Sequence, residues 1–279
     1  MVMERKNDNG QAALWNGDAG HAWVEAQELL DAMFRPMEAL LADMASPGLR
    51  VLDVGCGTGS TSLAVSRRLG SAGSCVGIDI SAPMIAAARA RAAGEGLQTE
   101  FLCGDAQRHG FEPARFDLII SRFGVMFFDD SVAAFANLRR AACDGATLRF
   151  LAWRDPAENP FMTTAERAAA ALLPAMPARR PDEPGQFAFA DAERVRQILD
   201  ESSWAEVSIE PVDIACAFPA SGLLQYLTRM GPLGRMLKEA DAQTRSHVVE
   251  TVHAAFNPYV HGNEVRYTAA CWNVSARAA

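Results

Sequence analysis

Residues 51–60 read Val-Leu-Asp-Val-Gly-Cys-Gly-Thr-Gly-Ser: a strand-forming run containing one aspartate, then glycine at every second position, Gly55, Gly57 and Gly59. Glycine lacks a Cβ and takes positive φ without penalty, so this turn lets the main chain close on a bound molecule. The next residues, Ser60-Thr61-Ser62-Leu63-Ala64-Val65-Ser66, begin a helix whose first N–H groups have no partner within it. Strand, glycine turn and helix start together predict a ligand carrying an anionic group. Asp53 adds a constraint. Dinucleotide folds use Gly-x-Gly-x-x-Gly, but position 60 here is serine, and a carboxylate repels a pyrophosphate while it suits an ammonium or sulfonium. The turn predicts a zwitterionic ligand with a cationic centre.

Two further strand ends complete the pattern. The segment 74–80 reads as a strand with Asp79 near its end, twenty residues beyond Gly59, where a carboxylate can accept both hydroxyls of a ribose. The segment 98–103 runs into Gly104-Asp105-Ala106, where a short polar side chain beside a glycine can meet an adenine amino group. Three successive strand ends thus describe one nucleoside-like ligand.

This ordered set resembles the class I S-adenosylmethionine-dependent methyltransferases, with their acid-x-Gly-x-Gly-x-Gly loop, acid after the second strand and aspartate after the third. The resemblance implies S-adenosyl-L-methionine as cofactor and S-adenosyl-L-homocysteine as its product. It assigns the methionine part to the main chain of Gly55, Cys56 and Gly57, the ribose to Asp79, the adenine faces to Ile80 and Met84, and the adenine amino edge to Asp105 and Ala106. Asp53, Gly59, Trp15 and Ser121 are assigned to the same cofactor site; for Ile80 and Met84 plain core packing is the alternative. The chain is also similar to the UbiE/COQ5-like bacterial subgroup in Trp-Asn-Gly-x-x-Gly-x-x-Trp from Trp15 to Trp23, in Ser121-Arg122-Phe123-Gly124-Val125-Met126-Phe127-Phe128, and in Trp153-Arg154. It departs at Cys143-Asp144-Gly145-Ala146, where relatives carry Arg-Pro-Gly-Gly, so a different turn is expected there.

Composition narrows the class. In 279 residues, 49% apolar, there is material for a large core. Six cysteines without Cys-x-x-Cys spacing, and an opening without an apolar leader, predict reduced thiols in the cytoplasm. No apolar run is long enough to span a membrane, and a net charge of −8 disfavours a nucleic-acid backbone as partner.

Periodicity gives the organisation: an N-terminal helical cap over 1–45 with a long helix from about 22 to 44, a cofactor-binding α/β core over 46–154, an insertion at 155–190, a core helix and strand at 191–219, a second insertion at 220–262 and a last strand from 263. The predicted fold is Rossmann-like: a seven-stranded, mostly parallel sheet with helices on both faces and a helical lid formed by the two insertions. Lid residues such as Phe161, Met176 and Tyr226 predict a small, partly apolar methyl acceptor.

Methyl transfer from a sulfonium requires collinear alignment and exclusion of water more than covalent help. Aromatic faces hold a cationic donor without competing as nucleophiles, and Trp15, Phe123 and Phe127 are the candidates, with Phe123, Phe127 and Tyr226 also assigned to the acceptor. Among five histidines, His253 on the second insertion is the candidate general base for an acceptor that must lose a proton. No metal is expected, because the adjacent Asp129 and Asp130 read as helix-capping residues. Two other classes remain open at this point: a non-catalytic S-adenosylmethionine sensor, and a nicotinamide-dependent oxidoreductase.

Overall fold

In the computed structural model, which describes residues 10–174, 180 and 183–279, the chain enters through three helices, α1 (Gly10–Asn16), α2 (Asp18–Glu25) and α3 (Gln27–Ala42). Met176, expected in the first insertion, lies outside the described residues. Strands and helices then alternate: β1 (Arg50–Val54), α4 (Ser60–Leu69), β2 (Ser74–Asp79), α5 (Ala82–Glu95), β3 (Glu100–Cys103), β4 (Phe116–Arg122), α6 (Ser131–Ala141) and β5 (Ala142–Trp153). The remainder comprises α7 (Pro160–Ala169), α8 (Ala192–Glu201), β6 (Ala205–Pro219), α9 (Leu223–Arg229), α10 (Gly231–Glu239), α11 (Ala242–Ala255), β7 (Val260–His261) and β8 (Glu264–Arg277).

Seven strands lie in the order β3-β2-β1-β4-β5-β8-β6, with the short β7 paired to β8. β3, β2, β1, β4 and β5 are parallel, and β8 and β6 add an antiparallel edge. β1 is buried on both faces from Val51 to Val54, in keeping with its aliphatic residues Val51, Leu52 and Val54, and Asp53 is buried among them. Val51, Leu118 and Ile120 pack with Val65 and Leu69 of α4, whereas Leu52, Val54 and Ile119 join Phe135 and Leu138 of α6. This is the α/β sheet covered on both faces that the alternation predicted.

Local differences have local causes. The single helix expected from 22 to 44 is two helices that meet at Ala26, and Pro36 sits inside α3 without ending it. β5 begins at Ala142, taking in the unusual Cys143-Asp144-Gly145 through a register shift and a positive φ at Gly145. Asp130, not Asp129, caps α6, accepting 2.9 Å from Ala133 N–H.

The insertions pack on each other and on β8. Phe161, 1% exposed, stacks on Tyr267 at 4.1 Å and on Tyr226 at 5.6 Å, with Phe256 and Tyr259 edge-on at 5.1 Å. The same helices brace the N-terminal cap: Gly222 fits against Leu29, Lys238 pairs with Asp18 at 2.9 Å, and Gln225 Nε2 donates 3.1 Å to Glu25 O.

Candidate functional site

The chain leaves β1 for its neighbour β2 and later returns to pair β4 on the other side of β1, so the strand order reverses between β1 and β4. Open α/β sheets bind ligands at such a reversal, outside the carboxyl ends of the strands. A cleft lies there, with about 1090 Å³ between its walls, counting its mouth. Its floor is the glycine turn, where Gly55, Gly57 and Gly59 have φ of +70°, +56° and +87°. Gly55 and Cys56 N–H both donate to Ile78 O, at 2.8 and 3.1 Å, which pins the turn to the end of β2.

Asp79 sits on that pin. Gly57 N–H donates 2.8 Å to its Oδ2 and Ser81 N–H donates 2.9 Å to its Oδ1, so both oxygens are oriented at the rim of the cleft. Burial pushes this carboxyl above its ordinary range, and the N–H donors of Ser81, Gly57 and Ile80 pull the other way. Ile80, Met84, Asp105 and Ala106 line the adjoining wall. Asn137, unremarked in the sequence, holds that wall by donating 2.8 Å to Ala106 O and 3.0 Å to His109 O. The sequence signal that could have revealed it is an asparagine set among Ala134, Phe135, Leu138 and Ala141 on the apolar face of α6.

Aromatic rings from the cap and from the end of β4 close the other side. Trp15 meets Trp23 edge-on at 5.9 Å and Phe127 at 5.2 Å, and Phe34 stacks near Trp23 at 6.4 Å. Phe123 has φ of +67°, a left-handed conformation rare for an aromatic residue, and its ring stacks on Trp153 at 4.5 Å. Trp15, Phe123 and Phe127 therefore line the same cleft as the glycine turn. Trp23, Phe34, Asp31 and Arg122 line it too; the sequence assigns them no role, although Trp23 and Arg122 stand in the Trp15-to-Trp23 and Ser121-to-Phe128 motifs.

Other expected residues stand elsewhere. Asp53, 1% exposed, lies behind the turn and accepts 2.6 Å from Ser62 Oγ. Asp53 thus ties the first turn of α4 to the end of β1 through the Ser62 hydroxyl. Burial raises the Asp53 carboxyl to about 6, with the Ser62 hydroxyl opposing the rise. Gly59 is dictated by packing, since a Cβ there would stand 3.0 Å from the Phe101 ring and from Ala88 Cβ. Ser121 is fully buried, donating 2.7 Å to Val54 O and accepting from Gly124 and Val125 N–H, so it shapes the loop from inside. Tyr226 belongs to the Phe161 cluster. His253 is exposed on α11, away from the cleft, and among the described residues no histidine lines the cleft. Nor does any described residue of the two insertions line it: the wall expected from them is built by the cap.

The donor set fits an S-adenosylmethionine-type ligand. Asp79 offers two oriented acceptors, and a Cβ on Gly57 would meet nothing nearer than Met84 Sδ at 3.8 Å, so the main chain there is bare toward the ligand space. Asp53 Oδ1 is buried with no partner, leaving unsatisfied negative charge under the turn.

Comparison with known proteins agrees. Residues 51–145 match the family described as Methyltransferase domain. The chain is 37% identical over 120 residues to the aklanonic acid methyltransferase DauC of Streptomyces sp. (strain C5), a match covering 42% of this chain and 54% of that protein. It is 27% identical over 202 residues to the demethylmenaquinone methyltransferase of Roseiflexus castenholzii, covering 70% and 83% of the two chains. The chain thus spans about half the length of the first of these relatives. Its fold is shared with a SAM-dependent methyltransferase from Aquifex aeolicus at a TM-score of 0.52 and 16% identity, covering 98% and 100%. Residues 51–145 are thus similar to methyltransferase domains, and the chain shares the fold of that Aquifex aeolicus protein. Among the described residues no helix is long and apolar enough to cross a membrane.

Proposed function

We propose that the chain is an S-adenosylmethionine-dependent methyltransferase acting on a small, partly apolar acceptor. The observation that carries this reading is Asp79, held by Gly57 and Ser81 N–H at the rim of a cleft floored by the glycine turn. The cofactor supplies a methyl group on a positively charged sulfur. The protein's residues do the rest: the turn fixes the amino-acid end, Asp79 the ribose, and Ile80, Met84, Asp105 and Ala106 the base. The rings of Trp15, Trp23, Phe34, Phe123 and Phe127 exclude water from the reacting line and offer a flat face to the acceptor. Rate then comes from positioning, in keeping with a cleft without a histidine among its described lining residues.

The Trp15-to-Trp23 motif and the demethylmenaquinone methyltransferase relative support placement near the UbiE/COQ5-like subgroup. Six free thiols support a reducing, cytoplasmic setting, and the net charge of −8 supports a small molecule rather than a nucleic acid as partner. Titration calorimetry with S-adenosylhomocysteine and with NAD tests the donor reading, and NAD binding alone would reverse it. Thermal-shift screening of metabolites in the presence of S-adenosylhomocysteine then tests the acceptor class. Stabilisation by polyanions alone would contradict it.

A further inference from the structure

Arg122 is the one Lys, Arg or His among the described residues that line the cleft, and it stands amid carboxylates. It ends β4, beside the glycine turn. Its Nη2 donates 3.0 Å to Ser60 Oγ, and its guanidinium carbon lies 5.4 Å from the centre of the Phe34 ring. Its Nη1 is buried and has no hydrogen-bond partner. A guanidinium carries five N–H donors in a planar fork, and leaving a buried one unmet costs far more than leaving it in water. Burial works against the charge on Arg122, while Glu38, Asp53 and Asp31 favour it from a distance. Of these, Asp53 already accepts from Ser62, and Asp31 accepts 2.6 Å from Arg91 Nη2. A cation has therefore been brought to the wall of a ligand cleft with a donor that the protein leaves unmatched.

Building on the donor reading above, we propose that Arg122 is a carboxylate anchor of the cleft, completed by a carboxylate of the bound ligand. The group that matches a guanidinium fork is a planar carboxylate. Two sources have that chemistry: the amino-acid end of the methyl donor, and an acid group on the acceptor. Proximity to Ser60 and the glycine turn assigns the donor's carboxylate. The same turn holds the ammonium and sulfonium over the negative field of Asp53 and Asp79, so opposite charges of a zwitterion meet opposite walls.

The test is calorimetry on the full chain with S-adenosylhomocysteine and with 5′-methylthioadenosine, the thioether nucleoside lacking the amino-acid end, for wild type and Arg122→Met. The expected result is a tenfold to hundredfold loss of S-adenosylhomocysteine affinity, on the order of a charged hydrogen bond, with methylthioadenosine affinity unchanged. If S-adenosylhomocysteine affinity is retained, thermal shift with 2-naphthoate in its presence decides the source: loss of the naphthoate response in the variant assigns an acceptor carboxylate, and an unchanged response overturns the proposal. Equal loss of both nucleosides in a folded variant also overturns it. Should Arg122→Met not fold, Arg122→Lys serves, since it keeps the charge without the fork and should weaken S-adenosylhomocysteine alone. Failure of wild type to bind either nucleoside would instead sink the donor reading.

Discussion

The main chains of Gly55 and Gly124 touch across the strand reversal: a Cβ on Gly55 would stand 2.6 Å from Gly124 Cα, and one on Gly124 would stand 2.7 Å from Gly55 Cα and 2.6 Å from Val54 O. The two loops that leave β1 and β4 are thereby nested, and Ser121 Oγ locks them by bonding to both. Gly55 also needs φ of +70°, whereas Gly124 is not among the positive-φ residues. Gly124→Ala therefore isolates the steric part. We expect it to destabilise the protein by about 1–3 kcal/mol, the usual cost of overpacking, and Gly55→Ala to cost more because backbone strain adds to the clash. Chemical denaturation of both variants checks the order, and a milder effect at Gly55 would refute it.

Asp79→Asn separates charge from shape. The amide keeps one acceptor, but its NH2 must face either Gly57 or Ser81 N–H, two donors pointed at each other. The variant should lose at least about tenfold in S-adenosylhomocysteine affinity, the effect of a charged hydrogen bond, while circular dichroism remains that of the folded protein. Calorimetry showing wild-type affinity would remove Asp79 from the site.

The sequence carried the sheet and the donor half of the cleft because both depend on local rules. Alternating apolar runs set β1 to β5, and Gly55, Gly57 and Asp79 follow from backbone geometry that few residues permit. Gly59 and Ser121 were legible as special positions but not by role, since one is explained by the Phe101 ring and the other by Val54 O, both contacts formed only in the fold. The sequence places Asp53 toward the ligand, yet a strand residue alternates sides and its face depends on what covers it; here Ser62 does. The aromatic wall was the least legible. Trp23 and Phe34 reach it only because α2 and α3 meet at Ala26, a break that helical periodicity does not announce, and the insertions expected over the cleft are drawn instead to the Phe161 cluster.

Asn16 fastens the cap to the donor site. Its Nδ2 donates 3.0 Å to Ile80 O and its Oδ1 accepts 2.9 Å from Ala82 N–H, so α1 grips the segment just after Asp79. Asn16→Ala should leave the sheet intact and loosen the cap, raising the dissociation rate of S-adenosylhomocysteine several-fold, as about 1 kcal/mol of lost hydrogen bonding requires. Limited proteolysis should cut faster between residues 10 and 25. Unchanged dissociation and cleavage rates would show that the grip is incidental.

Asp53 gives the protein a pH dependence of definite sign. An ordinary carboxyl near 3.8 is raised by burial to about 6, so between these values the folded state holds a proton that the unfolded state has lost. Stability of the ligand-free protein therefore falls as pH rises through this window, and above it the full cost of a buried, half-paired carboxylate is present, about 3 kcal/mol as an order of magnitude. Asp79 and Glu38, also raised chiefly by burial, act in the same direction. Asp53→Asn removes the Asp53 part while keeping an acceptor for Ser62 Oγ. Relative to wild type, the variant should gain stability at pH 7.5 over its standing at pH 5, by several degrees in Tm, and should bind the cationic donor less well. Thermal melts of both proteins across pH 4.5–8 measure this, and a constant difference across the range would mean that Asp53 ionises as it does in the unfolded chain.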